Sequence, residues 1–156
     1  MYWIYWLTSM IAETYTIEQN ETGTQFLFFS EGDKGRILKA VFISHYEQHR
    51  WNLAFGDVGA DWEIDDKAKT NNNDVLKVLG TVAQAALIFS ETYPNRSLMI
   101  FPVDEKRKRL YNLVFQRRLT EIQLIFHIFG KRGRRWEAFT NNAEEYEAFE
   151  ILRKTY

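Results

Sequence analysis

The feature that most constrains this chain is the stretch from Trp51 to Phe89: a strand, an acidic loop and one long apolar helix in succession. Val75, Val78, Leu79, Val82, Ala86 and Phe89 recur at helical spacing, and Leu76, Ala83 and Leu87 widen the stripe. So long a stripe must be buried, and the other elements are expected to pack on it. Asn72 or Asn73 is placed to cap the first amides, and Asp74 sets a negative charge at the positive end of the dipole. Tyr93-Pro94-Asn95 ends the helix, because the residue before a proline avoids helical geometry. Gly80, mid-helix, costs about 1 kcal/mol relative to alanine, which predicts a close approach by a strand or an aromatic ring.

Before this stretch, Phe26–Ser30 and Arg36–Tyr46 read as a hairpin around Glu31-Gly32-Asp33-Lys34-Gly35. The second arm is apolar on both faces, as a central strand is. With Trp51–Asp57 it predicts three antiparallel strands in a meander. After the helix, Ser97–Pro102 reads as a short buried strand. Asp104 caps a second helix over Glu105–Arg118, with Leu110, Leu113 and Val114 on its inner face. Glu121–Phe129 alternates like a strand, the loop Gly130-Lys131-Arg132-Gly133 follows, and Arg134–Thr140 is the return strand. Asn142-Ala143-Glu144-Glu145 has the form of a capping box and predicts a final helix with Tyr146, Phe149 and Leu152 inward. The order β-β-β-α-β-α-β-β-α predicts an α+β fold: one mainly antiparallel twisted sheet with helices packed on it.

The 156 residues are 46% hydrophobic and 16% aromatic, enough for a core without disulfides or metals. There is no cysteine, which excludes a thiol nucleophile and a cysteine metal site and fits a cytoplasmic protein. The N-terminal MYWIYWLTSMIA is apolar but shorter than the roughly 20 residues of a membrane span, and it lacks the basic flank of a secretory signal. It reads as an extra strand or as an extension over residues 1–9 outside a single domain over 10–156, and no membrane association is expected.

The net charge of −1 hides a strong asymmetry: residues 96–135 hold 11 Lys/Arg against 3 Asp/Glu. Arg107, Arg109, Arg117 and Arg118 lie on the second helix and Lys131, Arg132, Arg134 and Arg135 around the last loop. Positive side chains on a helix and a neighbouring loop suit phosphate, and Tyr111 or Trp136 could stack a base. The expected partner is therefore a nucleic acid or an acidic protein surface, with Arg107 alternatively clamping the acidic loop. Asp57, Asp65, Asp66, Asn72, Asn73 and Asp74 are expected to serve that loop and the helix cap. Their spacing lacks the EF-hand pattern, so no metal is expected. Of the histidines His45, His49 and His127, the first two flank a turn and read as solvated turn residues, and no third ligand stands out beside them. The chain has no Gly-x-Ser-x-Gly elbow, P-loop or Gly-x-Gly-x-x-Gly, so no catalytic residue and no cofactor are assigned.

Several ordered motifs together resemble a known family. They are SEGDKGRILKAVFI (30–43), YEQHRWNLAFGD (46–57), Ile64-Asp65-Asp66, TNNNDVLKVLGTVA (70–83), RKRLYNLVF (107–115) and EEYEAFEILRK (144–154). The resemblance is to an uncharacterised bacterial domain family of unknown function, common in Bacteroidetes, and it covers roughly residues 10–154. It implies no established activity. That family often has a Gly-Ser-Thr turn before its Arg-x-x-Leu-Tyr helix, where this chain has Phe101-Pro102-Val103-Asp104. The element order is also similar to part of an acetyltransferase core. There a glycine-rich turn opens the first long helix, whereas Asn71-Asn72-Asn73-Asp74 stands here. The expectation is thus a non-enzymatic binding module. The alternatives are a degenerate acetyltransferase-like enzyme and an RNA-directed toxin or regulator.

Overall fold

The computed structural model describes residues 13–59, 61, 64–65, 72–141 and 144–155. The predicted extension over residues 1–9 and Asp66 lie outside them. The α+β class holds. Strands β1 (Glu18–Gln19), β2 (Gln25–Gly32), β3 (Gly35–Glu47) and β4 (Arg50–Val58) form an antiparallel meander. The turn between β2 and β3 is shorter than expected, because Gly32 and Gly35 pair directly across Asp33-Lys34. Strand β5 (Ile64–Asp65) pairs with the end of β4.

Helix α1 (Val75–Thr92) then crosses back, and β6 (Ser97–Ile100) lies parallel to β4. Helix α2 (Glu105–Arg117) and the single turn α3 (Leu119–Ile122) lead to the hairpin β7 (Phe126–Arg132) and β8 (Arg135–Ala138). The last strand, β9 (Ala148–Arg153), inserts between β6 and β7. The sheet order is β1-β2-β3-β4-β6-β9-β7-β8.

Both long helices lie on one face of the sheet. Trp51 and Phe55 are four apart in sequence, an even number, and so are fixed to one side of β4 by the two-residue period of a strand. Trp51 meets Phe89 of α1 and Phe55 meets Tyr111 of α2, with ring centroids 5.9 and 6.2 Å apart. The same face carries Phe26, Phe28, Val41, Ile43, Leu53, Leu98, Ile128, Phe149 and Ile151, all in the buried core. On α1 the stripe takes hold at Val78 and runs through Val82, Ala85, Ala86 and Phe89, while Val75 and Leu76 stay exposed. Gly80 is buried within it. Among the described residues α1 is also the one helix long and apolar enough to cross a membrane, with mean hydropathy 1.3, and half of it is buried in the fold.

Three sequence expectations are corrected. The final helix is the strand β9: Tyr146, Phe149 and Leu152 do fit a helical period, but Ala148, Phe149, Glu150 and Ile151 are all buried in succession. A segment with a neighbour on each edge and covered faces is better satisfied by two ladders of hydrogen bonds than by its own helix. The strand expected over Glu121–Phe129 begins only at Phe126, because Leu119–Ile122 closes a helical turn with Gln123 N–H bonded to the Leu119 carbonyl. The loop expected at Gly130–Gly133 is narrower. Gly130, Lys131 and Arg132 belong to β7, and Arg132 pairs with Arg135 across Gly133-Arg134, Gly133 taking φ 59°.

Candidate polyanion-binding surface

Helix α2 is set in place by its caps and by one buried amide. The Asp104 carboxylate accepts from the Arg107 backbone N–H at 2.8 Å, which holds the first turn, and pairs with the Arg107 guanidinium at 3.0 Å. Arg107 thus helps to close its own helix start. Asn112, 1% exposed, donates to the Tyr146 carbonyl and accepts from the Tyr146 N–H, both at 2.8 Å. Phe115 stacks on Phe149 with centroids 4.7 Å apart. Tyr111, Asn112 and Phe115 therefore face the sheet, and Leu113, expected inside, is 41% exposed. The aromatic rings and the doubly bonded amide fix the helix's rotation, which leucine periodicity alone did not reveal. Tyr111 is half-buried, with its ring against Phe55.

The opposite side of α2 carries Lys106, Arg109 and Arg117, all exposed. Neither Arg109 nor Arg117 makes an ion pair among the described residues, whereas Lys108 approaches Glu105 at 3.6 Å and Arg118 approaches Glu121 at 3.7 Å. The β7–β8 hairpin lies alongside, tied to α2 by Phe115 against Phe139 and by the Asn112–Tyr146 bonds. Within it Arg132 is an internal residue. Its guanidinium reaches Glu137 at 3.2 Å and Glu144 at 2.8 Å, and lies 4.5 Å over the Tyr146 ring. Tyr146 in turn donates its hydroxyl to Glu137 at 3.0 Å. A Cβ on Gly130 would stand 2.3 Å from the Tyr146 ring, so only glycine lets that ring lie flat on β7. Lys131, Arg134 and Arg135 make no ion pair among the described residues.

The residues expected to serve the acidic loop divide differently. Asp57 lies in β4 and forms a 2.5 Å ion pair with Lys39 of β3. Asp65 is in β5, in register with Asp57. Asn72, 2% exposed, does not cap α1. It donates to Ser30 Oγ and the Gly35 carbonyl at 3.0 and 2.9 Å, and accepts from the Lys34 N–H at 2.5 Å. It is thus a plug in the β2–β3 turn, and the Asn72 carbonyl occupies the space a Cβ on Gly32 would need. Asn73 takes a positive φ of 59° between Asn72 and the helix.

Asp74 is the N-cap residue by position but makes no capping bond with its side chain. Its carboxylate instead accepts from Ser30 Oγ at 2.5 Å and from the Tyr15 hydroxyl at 2.6 Å. Tyr15 is held above the ordinary tyrosine pKa, first by burial and then by this hydrogen bond. A helix N-terminus with a carboxylate on it and a plugged turn before it is a poor seat for a pyrophosphate.

Sequence reasoning missed Ser30, Lys39, Tyr15, Asn112 and Glu150 as structural polar groups. For Ser30 and Lys39 the signal was present, since each occupies an apolar phase, after Phe26 and Phe28 or before Val41 and Ile43. Glu150 had none: it is bonded by Arg50 at 3.1 Å and Ser97 at 2.7 Å, partners far away in sequence. His45 bonds the Gln48 carbonyl at 2.9 Å within the β3–β4 turn, and His127 is exposed on β7.

A family of unknown function (DUF6934) matches residues 12–154, so this chain belongs to that family. No curated protein and no solved structure matches it.

Proposed function

We propose that this member of the DUF6934 family is a binding module that takes a polyanion, nucleic acid before an acidic protein, on α2 and the β7–β8 hairpin. One observation carries the reading. Arg109, Arg117, Lys131, Arg134 and Arg135 sit on two adjoining elements with no ion pair among the described residues, while Arg107, Arg118 and Arg132 have internal acidic partners. Arg109, Arg117 and Arg135 lie on the helix-bearing side of the sheet and Lys131 on the other, so in a chain of net charge −1 positive potential gathers around the α2 and β7–β8 end from both sides. The parallel β4–α1–β6 crossover is compatible with the acyltransferase alternative, but Asp74 and the Asn72 plug speak against a phosphate at the start of α1.

Titration of labelled oligonucleotides at several salt concentrations tests this. Each phosphate contact contributes about −0.7 to the log–log salt slope for a single strand and about −0.9 for a duplex. Neutralising Lys131 and Arg134 together should flatten the single-strand slope by about 1.4. Arg132→Gln should instead lower stability and leave the slope of the folded protein unchanged. Absence of binding at low salt would remove the proposal.

A further inference from the structure

Resting on that reading, we propose that the ligand is a single strand whose unpaired bases stack on Trp136, on the side of the sheet away from the helices. Strand registry fixes where Trp136 points. It pairs directly with Lys131, Lys131 with Ala148, and Phe129 with Glu150. Phe149, adjacent to both Ala148 and Glu150, faces Phe115 of α2. Trp136, Lys131 and Phe129 therefore share the opposite face, on which no helix packs among the described residues.

The two tryptophans described differ sharply. Trp51 is held by Phe89, His45 and the Arg96 guanidinium. Trp136 is half-buried and has no ring contact and no hydrogen-bond partner for its indole N–H among the described residues. Its indole N–H is not among the buried polar atoms left without a partner, so it meets solvent and stays accessible to a ligand.

Its surroundings supply what a nucleotide chain needs. Directly paired side chains on a sheet have Cβ atoms about 4.5–5.5 Å apart, which puts the Lys131 ammonium within reach of a phosphate next to a base on Trp136. Arg134, exposed in the adjoining turn, continues the positive charge. Phe129 lies about 6.8 Å further along the same face, two residues at the rise of a strand. Beyond it a notch of about 320 Å³ draws its lining from both faces, with His127, Phe129 and Ala138 from this one and Phe126, Ile128 and Phe139 from the other. Among the described residues β8 is the last strand of the sheet, and its outer edge offers a path for a chain. Duplex bases hide their faces in the stack. An accessible aromatic ring on the outer strand of the sheet therefore discriminates for unpaired bases, and cations beside it serve either form.

The test uses the full chain with short oligo-dT, oligo-U and a duplex of equal length. Single strands should bind at least tenfold more tightly than duplex. Trp136→Ala should weaken single-strand binding about tenfold, the loss of one stacked base, while leaving duplex binding and the salt slope unchanged. Trp136→Phe, which keeps a stacking face, should restore most of the affinity and guards against a variant that fails to fold. Quenching of tryptophan fluorescence on binding, lost in both variants, is a second readout. A preference for oligo-U over oligo-dT, or the reverse, assigns RNA or DNA within the same proposal. If single strand and duplex bind equally and Trp136→Ala changes neither, the stacking proposal fails while the polyanion reading stands. If nothing binds at low salt, both fail.

Discussion

Lys39 and Asp57 meet across β3 and β4 at 2.5 Å, with side chains only 10% and 15% exposed. They stand on the helix-bearing face, in the row that also holds Phe28. Removing one partner of such a pair strands a buried charge, at a cost of about 3–5 kcal/mol, whereas replacing both by apolar groups is often neutral or stabilising. Asp57→Ala should therefore unfold the protein well below the wild-type temperature, and Lys39→Met combined with Asp57→Leu should recover most of the loss. Urea unfolding of the three variants checks this; equal losses in the single and double variants would contradict it.

The Tyr15–Asp74 bond gives a pH dependence of known sign. The raised Tyr15 pKa means that the folded chain holds the phenolic proton more tightly than the unfolded chain, whose reference value is 10.0. The associated stability is fully present below that value and is lost as pH rises through the folded one. Tyr15→Phe removes this dependence. The difference in melting temperature between wild type and variant should be constant from neutral pH to about pH 9 and shrink above about pH 10. A constant difference throughout would argue that the hydroxyl does not titrate in place.

Gly130 and Tyr146 should prove mutually dependent. Gly130→Ala drives a methyl group into a ring that is 1% exposed, and overpacking of this kind costs about 1–3 kcal/mol. Because the ring also carries Arg132 and Glu137, the loss should be smaller in a Tyr146→Leu background. A double-mutant cycle measures the coupling, and strict additivity would refute it.

The segment before the family match should be dispensable for the fold. Tyr15 and Ile17 pack against the core, and the match begins at residue 12. A chain starting at Met10 should melt within a few degrees of the full one. A loss of many degrees would show that Tyr2–Leu7 contributes to the core.

What the sequence by itself determined is the part governed by neighbours in the chain. The alternation in β2, β3 and β4, the helical stripe on α1, the Asp104 cap and the turn glycines are all local signals, and they specify an α+β sheet. The basic segment was equally legible as composition. The tertiary structure alone decided which cations find acidic partners, because Arg132 is neutralised by Glu137 and Glu144 only once β8 and the segment beyond it fold back. It also decided that residues 148–153 form a strand. Their helical period is genuine, but a slot between β6 and β7 offers hydrogen bonds on both edges and burial on both faces. Trp136 is the clearest case of the division. Its type suggested stacking, but its place opposite Lys131, on the face away from α1 and α2, follows from the register of three strands and the side on which α2 packs, neither of which is local.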